Sequence, residues 1–342
     1  MAINRNFAAV KNLLIFGLFV LGASVASAQL LPNFGGQRAG LSTLSFLKND
    51  LNPRSVGMSG ASIANTHDAY SAITNPAALA KLEENSIGAS HLLIGGGIQQ
   101  SFLSYQHKLP SEATIGLSVN SLNSGDMMVR TEFQPDGTGQ YFSMSQNAIK
   151  GNYSTKLSDM FSLGVAVTYI YETMQVYNNS TAAIDLGFLY QTDFKNLRFA
   201  VVVQNFGGSS SMSGSLLQVD YNRNGNPELA RYSLPTVFKM GFALDAYEKD
   251  DHLIVGSMQL NNPNDNAENI RIGCEYRYAK LLSVQTGIKL SVKGQAYPSF
   301  GMGYRSKIGV NPLTINYGMN PTNWMGTQHE FGIQLNFNKM ER

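Results

Sequence analysis

The sequence predicts an all-β chain: a transmembrane up-and-down antiparallel β-barrel of about 14 strands with an N-terminal plug. Three observations predict it. Charged residues make up 14% of the 342, against roughly 25% in a soluble globular domain, and Gly, Ser, Asn and Gln fill the places that Lys and Glu usually take. Apolar and polar residues alternate with period two in segment after segment, the signature of strands with one face of each kind. The turn-forming stretches between those segments are alternately short and long, as when one rim of a barrel carries tight turns and the other carries loops.

Residues 1–28 read as a secretory signal peptide. Arg5 and Lys11 make a basic start, Leu13 to Val25 an apolar run, and Ala26-Ser27-Ala28 a small-residue cleavage site. An uncleaved anchor is the rival, but the run is shorter than the roughly 20 residues that cross a bilayer as a helix. Cleavage removes Arg5 and Lys11 and leaves 23 basic residues against 23 acidic. A neutral mature chain lacks the electrostatic footprint that nucleic acid requires. Cys274 is the only cysteine, so no intramolecular disulfide stabilises the exported chain.

Residues 29–84 stand outside the alternating pattern. They combine small apolar residues with few charges, which favours a plug folded into the lumen over a periplasmic tail. A helix is predicted at about 67–73, ended by Asn75-Pro76 because the residue before proline disfavours the helical region. The barrel follows, over 85–342. In it Phe161, Leu163, Val165, Val167, Tyr169 and Tyr171 alternate with small or polar residues, as do Ile270 to Tyr278, Leu282 to Val292, and Phe331 to Phe337. Short turns fall near Pro110, Ser158, Phe194, Lys249, Lys280 and Gly309. Longer links are predicted at 124–144, 174–179, 207–232, 262–267, 293–296 and 320–326. Six hairpins, one strand before them and one after give an even strand count, with both chain ends on the periplasmic side. A soluble sandwich or lipocalin-like barrel also alternates, but it would turn the apolar face inward.

Pro53-Arg54-Ser55-Val56-Gly57-Met58-Ser59-Gly60-Ala61, then His67-Asp68-Ala69-Tyr70-Ser71, then Asn75-Pro76-Ala77-Ala78-Leu79 resemble the N-terminal region of the PorV/PorQ family, a Bacteroidetes branch related to FadL-type outer-membrane transporters. Ser59 stands where that pattern usually has the first Gly of a pair, and Ala78 where it has Gly. The resemblance implies a 14-stranded FadL-like barrel with an N-terminal hatch, and marks Arg54, Gly57, Gly60, Asp68, Asn75, Pro76 and Ala77 as the hatch motif. It implies two functions. The leading expectation is an outer-membrane component of type IX secretion, exporting or attaching cargo proteins, with those proteins and other secretion components as partners. The alternative is a FadL-like channel for long-chain fatty acids or other hydrophobic small molecules. A structural or adhesion barrel is a third class.

Nothing in the sequence points to catalysis, a metal or a cofactor. The five histidines, His67, His91, His107, His252 and His329, have no i, i+4 pair. Gly57-Met58-Ser59-Gly60 lacks the spacing of a nucleophile elbow, and Gly301-Met302-Gly303 lacks the third glycine of a nucleotide loop. Asp220 to Glu228 begins like a calcium loop, but Arg231 occupies the position that needs a bidentate glutamate. Arg271, Glu275, Arg277 and Lys289, with Lys293, fall on polar faces and are expected to line the lumen, since a charge facing lipid costs roughly 2–4 kcal/mol near the midplane. Their expected role is to tie the wall to the plug by charge pairing.

Overall fold

A computed structural model describes residues 40–214, 230–292, 294–295 and 298–337. The expected signal peptide, the first residues of the expected plug, Lys293 and the segment 220–228 lie outside the described residues. Among those described, fourteen long strands form the wall: β1 (Asn85–Gly95), β2 (Ile98–Lys108), β3 (Thr114–Asn123), β4 (Met144–Lys156), β5 (Phe161–Met174), β6 (Tyr177–Gln191) and β7 (Arg198–Gly207), followed by β8 (Val237–Lys249), β9 (His252–Pro263), β10 (Asn269–Tyr278), β11 (Leu282–Leu290), β12 (Ser299–Ile308), β13 (Asn311–Thr322) and β14 (Gly326–Phe337). Each pairs antiparallel with its sequence neighbours. The register Asn85↔Phe337 through Leu93↔His329 joins β1 to β14 and closes the barrel. Closure leaves no sheet edge, so backbone groups are satisfied within the wall.

The apolar face points outward. Leu103, Val167 and Ile333 are each more than half exposed, at 55%, 57% and 53%, and Phe242, Ile272, Met302 and Tyr276 continue the band. A continuous apolar surface of this extent requires a lipid environment, which decides against the soluble sandwich. Among the described residues no helix is long and apolar enough to cross a membrane.

The six short turns fall where the sequence places them, but the other rim differs in two places. The link expected at 174–179 is only the two-residue turn Gln175-Val176, and β1 joins β2 through Gly96-Gly97. Gln175 (φ 55°), Gly96 (62°) and Gly97 (83°) take the left-handed backbone that two-residue hairpins need. Tyr177 to Ser180 look like loop by composition, yet they pair with β5 from Met174↔Tyr177 onward and stay in the strand.

Residues 51–82 lie inside the wall, most of them fully buried. They form α1 (Pro53–Gly57), α2 (Ser71–Thr74) and a 3₁₀ turn at Pro76–Lys81, with a further 3₁₀ turn at Ser45–Lys48. The helix expected at 67–73 is therefore a single turn that begins later. Asp68 Oδ1 accepts from Tyr70 N (3.1 Å) and Ser71 Oγ accepts from Asp68 N (3.1 Å), which holds 68–70 in a turn ahead of α2.

Candidate functional site

The site is the junction between this inner segment and the wall. Asn52 caps α1, its Oδ1 accepting from Arg54 N (3.2 Å) and Ser55 N (3.4 Å), and Pro53 occupies the first helical position. That cap aims Arg54 at the wall. Its Nε and Nη2 each donate to one oxygen of Glu275 at 2.6 Å, and Nη1 donates to the Asn65 carbonyl at 2.6 Å. Glu275 also accepts from Arg277 Nη2 (2.8 Å), Gln285 Nε2 (3.1 Å) and Asn65 Nδ2 (3.4 Å). A buried carboxylate survives out of water only when its lone pairs are met in this way. Asp68 stands 3.9 Å from Arg54. Burial lifts the Asp68 carboxyl above the ordinary carboxylate range, and Arg54 opposes that lift. Burial likewise raises the Tyr70 phenol, whose hydroxyl donates to the wall carbonyls of Ala89 and Ile333 at 2.8 and 2.9 Å.

A second anchor is Asn75, fully buried. Its Oδ1 accepts from Ala77 N (3.0 Å) and starts the turn at Pro76, while its Nδ2 donates to the Ile63 carbonyl (3.0 Å). The wall makes room with glycine. A Cβ on Gly164 would collide with the Pro76–Ala77 backbone, one on Gly287 with the Met58 backbone, and one on Gly57 would come within 2.8 Å of Gly301. Ser59 (φ 56°) and Gly60 (φ 80°) turn the chain after α1, so Ser59 adopts the left-handed conformation itself.

Of the expected lumen-facing charges, Glu275 and Arg277 join the Arg54 cluster. Arg271 and Lys289 do not: among the described residues neither has a carboxylate within 4.0 Å. These two make no close ion pair, and the nearest carboxylate of the inner segment to face them is Asp50. Asp50 beside them is engaged by Asn52 N (3.2 Å) and Ser55 Oγ. Among the described residues, no group of three His, Cys, Asp or Glu is placed to hold a metal ion.

No family model and no curated protein sequence matches the chain. Solved structures do. A FadL homologue of Pseudomonas aeruginosa aligns over 84% of this chain and 98% of its own, with a TM-score of 0.55 and 11% identity. The toluene transporter TodX of Pseudomonas putida aligns over 88% and 98%, with a TM-score of 0.52 and 12% identity. The chain is an outer-membrane β-barrel of FadL-like fold.

Sequence reasoning missed much of this barrel's inner surface. Asn65, Arg198 and Asp245 extend the Arg54 cluster, with Arg198 donating to Asn65 Oδ1 (3.0 Å) and Asp245 Oδ1 (2.6 Å). Lys150 pairs with Asp185 at 2.6 Å. The lumen is also not uniformly polar. Leu92, Ile94, Phe102, Leu122 and Ile170 point inward and pack with Phe46, Leu51 and Leu234. Their signal was a broken alternation: Leu92-Leu93-Ile94 and Tyr169-Ile170-Tyr171 are apolar on both faces, which a strand needs only where both faces meet apolar material.

Proposed function

We propose that the chain is a channel for small hydrophobic compounds, with residues 29–84 as its hatch, 85–342 as its wall and 1–28 removed on export. The observation that carries this reading is the apolar cluster between inner segment and wall. A barrel filled only with water and a polar plug has no use for Phe102, Leu122 and Ile170 on its inner face, whereas a hydrophobic solute needs a continuous apolar lining to leave water. The cluster is closed by Phe46 and Leu51 of the inner segment, so passage requires that segment to shift. One neighbour in fold is a toluene transporter, which supports the solute class.

The reading as a component of type IX secretion rests on the motif at 53–80. In this fold the motif residues Arg54, Gly57, Asn75, Pro76 and Ala77 are buried in contacts between segment and wall, so they support a shared architecture and offer no surface to cargo.

The test is uptake of radiolabelled oleate and toluene by a Gram-negative host without its own long-chain fatty-acid channel. Expression of the folded barrel is expected to raise the initial rate several-fold, and Phe102→Asp with Ile170→Asp to abolish the gain. Equal uptake with and without the folded barrel rejects the channel. Deleting the gene in its own bacterium, with proteomics of the medium and cell surface, tests the secretion reading: selective loss of exported proteins would favour it.

A further inference from the structure

Among the described residues, three cations in the outer half of the lumen have no carboxylate within 4.0 Å. Lys239 on β8, Arg271 on β10 and Lys289 on β11 line two adjoining cavities of about 50 and 110 Å³ between the wall and the Asp50 to Gly60 stretch. Both cavities share Lys48, Asn49, Asp50, Gly60 and Arg271. Arg271 and Lys289 are directly opposite one another in the register of β10 and β11, an arrangement of like charges that costs stability. The other two lysines at the cavities are neutralised, Lys48 by Asp265 and Lys150 by Asp185, each at 2.6 Å. Around the three cations the lining mixes neutral amides and hydroxyls with apolar side chains. Arg271 Nε donates to Asn269 Oδ1 (3.0 Å), and Gln259, Asn320 and Gln328 are among the amides of the lining. Asp50 is the one carboxylate among the lining residues, and its oxygens are already taken by Asn52 N and Ser55 Oγ.

We propose that this cleft binds a doubly charged oxyanion: phosphate, sulfate or the phosphate of a monoester. Three cations against one carboxylate leave two positive charges for the ligand to meet. The donors come from separate strands: the β10 guanidinium, facing Gly60, lines both cavities, with an ammonium on β8 in the first and an ammonium on β11 in the second. A bound oxyanion removes the repulsion between Arg271 and Lys289 and joins three wall strands beside the Ser59–Gly60 turn. Glycine suits position 60 because φ is 80° there, and a Cβ would also push the end of the Arg271 side chain aside. Oxyanion binding is independent of what else the lumen conducts.

Isothermal titration of inorganic phosphate into the full-length barrel, folded in non-ionic detergent and zwitterionic buffer with chloride held constant, tests the assignment. The expected result is saturable one-to-one binding, weakened about tenfold or more (one 1.4 kcal/mol step per decade) in Lys239→Gln/Lys289→Gln. Phosphate should also raise the melting temperature of the native chain, by mass action, and leave that of the double variant unchanged. Heat-modifiable gel migration confirms that the variant is folded; if it is not, Lys239→Met alone replaces it. Absence of saturable binding to the native chain overturns the proposal, as does unchanged affinity in a folded variant. Given binding, a short-chain phosphatidate below its micellar concentration separates the sources: competition identifies a lipid-type monoester, and failure to compete identifies the free anion.

Discussion

Arg54 and Glu275 show how a residue pair can be costly and still decisive. Both side chains are buried, 8% and 1% exposed, and a buried ion pair gains little over an apolar pair of the same shape once desolvation is counted. Removing one partner is another matter, because the survivor stays buried and charged. Arg54→Met is therefore expected to cost about 3–5 kcal/mol in docking of the inner segment, and Arg54→Met/Glu275→Leu to recover part of that loss. Hydrogen exchange at 52–66 measures it, with faster exchange in the single variant than in the double. Equal exchange in both would show that the pair contributes nothing beyond packing. At this scale the sequence was partly legible. Glu275 and Arg277 could be found because charges on an otherwise uncharged alternating face are conspicuous, and Arg54 because it belongs to the motif of the resemblance, whereas Asn65 and Arg198 join them through contacts that residue order does not show, Arg198 meeting Asn65 across more than a hundred positions.

Elements were the most legible level, since one face in lipid and one in the lumen force a strict period of two. The turn read as a loop depends on a positive φ at Gln175 that composition does not encode, whereas the Gly96-Gly97 turn is carried by a glycine pair suited to a two-residue hairpin. The short helices in the inner segment escaped because each is held by caps and wall contacts more than by its own periodicity. Those wall contacts rest on inward glycines, and this gives a sharp contrast between two positions. Gly287 faces the Met58 backbone, whereas a Cβ on Gly151 would meet nothing within 4 Å. Gly287→Val should displace α1, an overpacking penalty of about 1–3 kcal/mol, while Gly151→Val leaves docking intact. Limited proteolysis of the inner segment in folded barrels checks this: cleavage should accelerate only in the first variant, and equal rates in the two would refute the role given to the wall glycines.

For the whole molecule, the closed wall and its contents are held by different forces. Wall strands bond to one another through the backbone around the full circuit, including β1 to β14 and β6 to β7. The inner segment meets the wall strands through side chains: the Arg54 cluster, Asn75, Tyr70, and Gln204 Nε2 to the carbonyls of Ile73 (2.6 Å) and Thr74 (3.0 Å); among the described residues its one backbone bond outside itself, Thr43 N to the Ser233 carbonyl (3.1 Å), goes to the link before β8 and not to a wall ladder. Its removal therefore breaks no ladder and exposes a lumenal face that is mostly Ser, Thr, Asn and Gln, which water satisfies. The apolar patch around Phe102 and Ile170 loses its cover, but lateral closure does not depend on it. Deleting residues 40–82 is accordingly expected to leave a heat-modifiable barrel. Its conductance in a planar bilayer should exceed that of the full chain by on the order of tenfold, because a ring of this strand number is wide enough to hold water once it is emptied. A deleted chain that inserts but conducts no more than the intact one would mean that the outer loops, and not the inner segment, close the path. One that fails to become heat-modifiable would mean that wall and segment fold as a single unit and that the side-chain contacts are part of the barrel's own stability.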